Sequence, residues 1–386
     1  MLGEQSVRVT QARVPTQQYV ARLSLNDFRC IQELEVELGT GITVVQGENG
    51  HGKTSLLEAV GWPARANSLR NVGDSAVVRS GCDVAIVRSE IVDGDRRQSF
   101  EAEIRAAGRN RMLVNRQPVQ RIRDLHGLLR VTVFAPDDLQ LVKGSPSVRR
   151  AYVDDLLEGL APRYAAALHD FERILKQRNA LLKQIARDRS ASATMGAFDE
   201  QLVAASTEII RGRIRLLDRL SGPVVAHYQA LGESADVSVA YRAEWHEDQI
   251  LAIGDIDLVP EFLWAAVHRR RANEMDRQVG LVGPHRDDLV LRLNGLEART
   301  QASQGEQRSF ALALRLAGHV VLTEILGTAP VLLLDDVFSE LDTRRAAALV
   351  KLLPPGQTVL SSATEIPHDV QVERVLEMRR GRIVAQ

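Results

Sequence analysis

Residues 47–54, Gly-Glu-Asn-Gly-His-Gly-Lys-Thr, constrain this chain more than any other stretch. A short apolar run, Ile42 to Val45, leads into them, and a helical pattern with Leu56, Leu57 and Val60 on one side follows at once. Strand, glycine-rich loop and helix form the context in which G-x-x-x-x-G-K-T acts as a P-loop. Gly47, Gly50 and Gly52 let the backbone curl so that N–H groups of the loop, with Glu48, Asn49 and His51 between the glycines, point inward at an anion. The positive end of the new helix adds to that field. In such a loop Lys53 serves the β- and γ-phosphates of a nucleotide, and Thr54 offers a hydroxyl to Mg²⁺. An ordinary glycine loop would not need this flanking strand and helix.

A second set of residues lies about 250 positions further on. Ser303-Gln304-Gly305-Glu306-Gln307 stands immediately before an Ala- and Leu-rich helical pattern, Arg308–Leu326. Ser303 and the first helical N–H groups make another anion-binding terminus. Val331 to Leu334 is wholly apolar and ends in Asp335 and Asp336. Strands of that kind are buried on both faces of parallel sheets, and ligands of open α/β sheets bind at the carboxyl ends of the strands. Asp335 is thus placed to hold Mg²⁺, and Asp336 to orient or deprotonate an attacking water. Ser339-Glu340-Leu341-Asp342 follows, and a further strand, Thr358–Ser362, ends in Ala363-Thr364-Glu365.

Between the two sets the pattern changes twice. Residues 1–18 are polar and read as a disordered extension. Alternation over 20–25 and 32–38, and again over 84–92 and 99–104 around the turn Asp93-Gly94-Asp95, predicts paired strands. Residues 112–114 and 119–122 predict a further hairpin around Asn115-Arg116-Gln117-Pro118, and 130–134 a buried strand. Ser147 is the expected cap of a helix over 148–160. Helical spacing then runs over 162–187, with Arg178 interrupting the apolar face, and over 198–220, with 224–231 continuing it. The expected organisation is an extension at 1–18, an α/β head part at 19–150, a helical arm lobe at 151–275 and a second head part at 276–386. The arm lacks the sustained heptads of a long coiled coil.

With 49 basic and 50 acidic residues the net charge is −1, so any polyanion surface has to be local. Clustered cations concentrate in the arm, where Lys176, Lys183 and Arg187 share a helix and are the candidate DNA contacts. Interleaved acids leave a solvated face as the competing explanation. His285 beside Asp287 and Asp288 lacks metal-ligand spacing and reads as a structural loop. Two cysteines give no disulfide framework. The N-terminus lacks a signal-peptide apolar region and no run approaches a membrane span, so the expectation is a cytoplasmic protein with no membrane partner.

A P-loop, S-x-G-x-Q, four apolar residues with two acids, and S-E-L-D resemble the ATP-binding-cassette set in its order. The match is closer still in Leu23–Arg29, GENGHGKTSLLEA, Leu141–Asp154, Lys176–Leu182, GPHRDDL and SQGEQRSFALALRLA, which resemble the RecF family. The resemblance implies an ABC-type P-loop ATPase head, a mixed sheet lobe plus a RecA-like core, related to SMC heads and carrying an inserted helical arm. It implies ATP and Mg²⁺ as cofactors, an ATP-dependent homodimer in which Ser303 and Gly305 meet the γ-phosphate held by the partner's Lys53, and a weak DNA-stimulated ATPase. It also implies sequence-independent binding of duplex and gapped DNA, and RecR and RecO type mediators as partners in gap repair, replication and SOS induction, at the nucleoid. Asp336 stands where cassette ATPases usually carry glutamate, Thr364 where many transporters use a histidine, and Asp137 near the expected glutamine loop. The alternative from another class is the energising subunit of a transporter. The long interval between P-loop and signature disfavours it.

Overall fold

The computed structural model describes residues 16–69, 72–125, 127–188, 192, 194–364, 366–367 and 369–385. Its centre is a six-stranded sheet ordered β17 (Arg382–Ala385), β16 (Val372–Arg379), β3 (Ile42–Gln46), β15 (Thr358–Ser362), β14 (Val331–Asp335), β8 (Val131–Phe134). All neighbours are parallel except β17 on β16. The period-two alternation of strands explains why the apolar runs are continuous. Val45, Leu333 and Val359 face one cluster with α1 (Lys53–Arg65). Val44, Leu332, Leu334 and Leu360 face another with α8 (Gln304–Leu326) and α9 (Thr343–Leu352). Both faces are covered, so a polar side chain there has to find its partner inside the protein, as Thr132 of β8 does with His319 of α8.

Behind α1 lies a seven-stranded sheet of β1 (Thr16–Phe28), β2 (Ile31–Glu37), β4 (Val84–Asp93), β5 (Arg96–Arg105), β6 (Arg111–Val114), β7 (Gln117–Pro118) and β13 (Thr328–Ala329). Strand β1 begins at Thr16, so residues 16–18 of the expected extension are sheet; residues 1–15 lie outside the described residues. Gln18 is fully buried because its amide is satisfied at both ends, donating to the Leu128 carbonyl at 3.0 Å and accepting from the Arg130 N–H at 2.8 Å. The last hairpin turns at Asn115 and Arg116, whose φ values of 50° and 66° make a tight two-residue turn. Strand β7 therefore starts at Gln117, and the strand expected over 119–122 does not form.

The second lobe stacks α2 (Leu139–Lys143), α3 (Pro146–Leu160), α4 (Pro162–Ile185), α5 (Met195–Ala230) and α6 (Val259–Arg277) against a small four-stranded sheet, with α7 (Ala298–Gln301) beside it. Ser145, not Ser147, precedes α3, with Pro146 at the first helical position where its missing N–H costs nothing. The helix expected over 198–220, with 224–231 continuing it, is a single 36-residue helix that runs through Pro223. Arg178 is not a break in α4. It is fully buried and donates to Asp199 at 2.9 Å and Glu274 at 2.6 Å, joining α4, α5 and α6. Strand β9 (Val237–Arg242) pairs with β11 (Asp288–Leu293), while β10 (Ile250–Leu251) and β12 (Leu296–Glu297) flank them. The lobe thus crosses the expected boundary at 275, and its apolar cluster runs from Leu141 to Leu322. Helix α8 is long and apolar enough to cross a membrane, but most of it is buried between this cluster and the central sheet.

Candidate functional site

At the carboxyl end of β3 the chain turns through Gly47, Gly50 and Gly52, with φ of 153°, 82° and 102°. Gly47 also lies against β16, where a Cβ would fall 2.3 Å from the Met378 carbonyl oxygen. The Lys53 ammonium is drawn over the loop by the Gly47 carbonyl at 2.7 Å, the Glu48 carbonyl at 3.0 Å and Asn49 Oδ1 at 3.3 Å. A buried ammonium surrounded by neutral oxygens is poised to exchange them for phosphate oxygens, which are the stronger partners.

Two elements far apart in sequence complete the hollow. Thr54 Oγ1 donates to Asp335 Oδ1 at 2.8 Å, and Ser361 Oγ donates to the same oxygen at 2.7 Å. The Asp336 N–H is held by Ser361, at 3.2 Å from its carbonyl oxygen and 3.0 Å from its hydroxyl, and Asp336 has φ of 50°. Its carboxylate accepts from the Ala363 N–H at 3.4 Å. One cavity is lined by Cys30, Asn49, Gly50, Gly52, Lys53, Thr54, Ser55, Asp335 and Asp336. The P-loop and both acids are therefore one site. The hydroxyl–carboxylate pair at Thr54 and Asp335 is an oxygen donor set suited to Mg²⁺.

Ser303 and Gly305 do not line that cavity. Ser303 caps α8, accepting the Glu306 N–H at 3.3 Å while Glu306 accepts the Ser303 N–H at 2.8 Å. Asp342 caps α9 in the same way, accepting from the Arg345 N–H at 2.8 Å. Asp137 is exposed, and its neighbour Asp138 pairs with Arg315 of α8 at 2.5 Å. Thr364 closes a local turn with Ser362.

Sequence reading missed Ser361 and Arg29. The Arg29 guanidinium makes a two-bond fork with the buried Glu58 of α1, both bonds 2.8 Å, and braces the helix that carries Lys53. The positive φ of Arg29, 55°, turns the chain back beside the loop. A charged pair near a turn is a common surface pattern, so nothing marked this one as buried.

The arm cations divide. Arg173, Arg211, Arg213, Arg269 and Arg271 are each tied to a carboxylate. Lys176, Lys183 and Arg187 are exposed on one stripe of α4 and its end, and among the described residues they make no ion pair. They lie apart from the P-loop cavity. His285 bonds the Gly280 carbonyl at 3.2 Å, and burial pushes its pKa down to about 4. Asp287 is fully buried, accepting from Tyr241 and from Trp245 Nε1 at 2.6 Å, and burial pushes its pKa up to about 7. Among the described residues no three His, Cys, Asp or Glu side chains come together as a metal cluster, and the bonds from Tyr241 and Trp245 tie Asp287 into the second lobe.

The RecF/RecN/SMC N terminal domain model matches residues 19–361. The DNA replication and repair protein RecF of Beutenbergia cavernae is 40% identical over 385 residues, covering 92% of this chain and 97% of the relative. That of Kineococcus radiotolerans is 42% identical over 371 residues, covering 91% and 94%. A solved structure of the recombination mediator protein RecF with ATP, in the RecFOR pathway, superposes with a TM-score of 0.86 at 26% identity and covers 96% of this chain and 98% of that one. The Pyrococcus furiosus Smc head domain shares the fold, with a TM-score of 0.58 at 15% identity over 96% of each chain. The architecture is that of an ABC-type ATPase head with an arm lobe. A domain model spanning most of the chain, and near-full-length relatives at 40% identity and above, lead to one conclusion: the chain belongs to the RecF family.

Proposed function

We propose that the chain is an ATP-switched DNA-binding protein of replication and recombinational gap repair. The observation that carries this reading is the split site. Lys53, Thr54, Asp335 and Asp336 share one cavity, while Ser303 and Gly305, the other half of a cassette site, lie outside it. Half-sites of this kind are completed by a second copy. ATP in the Lys53 cavity of one protomer meets Ser303 and Gly305 of the other, and the heads close on DNA. When bound, Mg²⁺ neutralises phosphate charge; Thr54 and Asp335 are the residues that would hold it. Asp336 orients the attacking water, and slow, DNA-stimulated hydrolysis releases the clamp. Lys176, Lys183 and Arg187 contact the duplex backbone. RecR and RecO type mediators act with the protein at gaps, loading recombinase and inducing the SOS response, at the nucleoid in the cytoplasm. A transporter subunit is not favoured: the likeness to RecF relatives runs through the whole arm lobe.

The test is electrophoretic retention on gapped, duplex and single-stranded DNA at physiological salt, with ATP, with ADP and without nucleotide. Retention on duplex and gapped DNA with ATP alone is the expected result. Equal retention in all three nucleotide states would overturn the reading.

A further inference from the structure

We propose that Arg345 is a positioning residue for the trans half of the nucleotide site, holding the S-x-G-x-Q terminus of α8 and the S-E-L-D loop at a fixed spacing. This rests on the split-site reading given above. Arg345 lies in the first turn of α9. Its Nε and Nη2 donate to Glu233 Oε1 at 2.9 and 2.6 Å, and its Nη1 donates to Asp342 Oδ2 at 2.9 Å. Ser309 of α8 donates to the same Glu233 oxygen at 2.7 Å. Glu233 follows the end of α5, and the adjacent Arg344 holds the Gly232 carbonyl at 2.8 Å. One carboxylate of the second lobe therefore ties the signature helix to the helix after the S-E-L-D loop.

The guanidinium also lies close against the signature itself. A Cβ on Gly305 would fall 2.9 Å from Arg345 Nη1 and 3.1 Å from Nη2. The absent side chain at Gly305 is what admits the guanidinium to the first turn of α8. These contacts fix where the Ser303 terminus stands. The carboxylates of Glu233 and Asp342 balance the guanidinium charge, so its role is placement rather than an added field.

Because Arg345 serves the partner's nucleotide, the test separates trans from cis. Arg345→Ala should bind ATP within about twofold of wild type and still unfold cooperatively, at a lower melting temperature because Glu233 loses its cation, while ATP-driven association in sedimentation weakens about tenfold, the worth of a lost charge-assisted contact. Arg345→Lys keeps the charge but not the fork and should recover little. Mixed dimers made as tandem fusions, which exclude homodimers, decide the matter. Fusing Arg345→Ala to Lys53→Ala leaves one site with a normal P-loop and a normal signature, so about half of the turnover of the wild-type fusion should return. Putting both changes in one half of the fusion leaves neither site whole, and turnover should fall well below that. Equal turnover in the two fusions, or wild-type association by Arg345→Ala, would overturn the inference. If wild type itself fails to associate with ATP, the split-site reading fails instead, and Arg345 has no trans site to position.

Discussion

Thr54 and Asp335 are 281 residues apart in sequence and share a 2.8 Å hydrogen bond. Strand β15 lies between β3, which leads into the P-loop, and β14, which ends at Asp335, and its Ser361 hydroxyl reaches the same carboxylate oxygen. The acid is thereby held by two hydroxyls at the mouth of the P-loop.

That geometry gives the first prediction. Thr54→Val and Asp335→Ala should each weaken ATP binding by about tenfold in the presence of Mg²⁺, and the double variant should lose less than the sum, since the two residues act on one ion. Without Mg²⁺ the single variants should bind ATP almost as wild type does. Equilibrium binding of a fluorescent ATP analogue with and without EDTA checks this; equal losses in both conditions would place the two residues outside the metal site.

Asp336 occupies the left-handed region with φ of 50°, which Asn adopts as readily as Asp. Asp336→Asn should therefore fold normally and bind ATP normally. Turnover should fall by about 10²–10⁴-fold, the usual contribution of a positioned base, and the ATP-bound dimer should accumulate. Single-turnover hydrolysis reads the chemical step directly, and an unchanged rate would move the base to another residue.

What was legible in the sequence was what local pattern encodes. The P-loop, the apolar β14 ending at Asp335 and the serine cap of α8 each carry their signal within ten residues. What was not legible depends on partners far along the chain. Thr16, Gln17 and Gln18 read as a polar tail because the backbone groups that satisfy Gln18 come from positions 128 and 130. Arg178 read as a flaw in an apolar stripe because its carboxylates lie 21 and 96 residues away. The pairing of β9 with β11, on either side of position 275, is of the same kind, because no local pattern reports which strands become neighbours. Ser361 stands beside an equally plausible Ser362, and only the sheet order shows which one meets Asp335.

Asp287 gives a pH prediction. Its folded pKa is raised to about 7 from an ordinary 3.8 by burial, so the folded state binds the proton more tightly than the unfolded chain. Stability from this group is fully present below about pH 4 and is lost as pH rises through 7. His285 works in the opposite sense, its lowered pKa costing stability as pH falls below 6.5. Comparison with Asp287→Asn isolates the acid, because the amide does not titrate and can still accept from Trp245. Between pH 5 and pH 8 wild type should lose on the order of 2 kcal/mol relative to the variant. Urea unfolding across that range measures it, and a pH-independent difference would show that Asp287 stays ionised throughout.

The last prediction concerns DNA. Lys176, Lys183 and Arg187 are exposed on α4 and its end, while the neighbouring arginines of the arm are held by carboxylates. Only 4% of the residues are aromatic, so a stacking surface for bases is not expected, and affinity should come from phosphates. Replacing all three by Gln removes up to three phosphate contacts per protomer. The slope of log affinity against log salt should then fall by up to about 2.7 for each protomer on the DNA and about 5.4 for a dimer, at roughly 0.9 for each contact on duplex DNA. Binding should weaken equally on unrelated sequences, and ATP affinity should not change, because none of the three approaches the P-loop cavity. Dimerisation would present each stripe twice, which accounts for an ATP-dependent grip on DNA by a chain of net charge −1. Fluorescence anisotropy on a duplex at four salt concentrations gives the slope. A triple variant with wild-type affinity and slope would remove this face of α4 from the DNA surface and leave the heads as the contact.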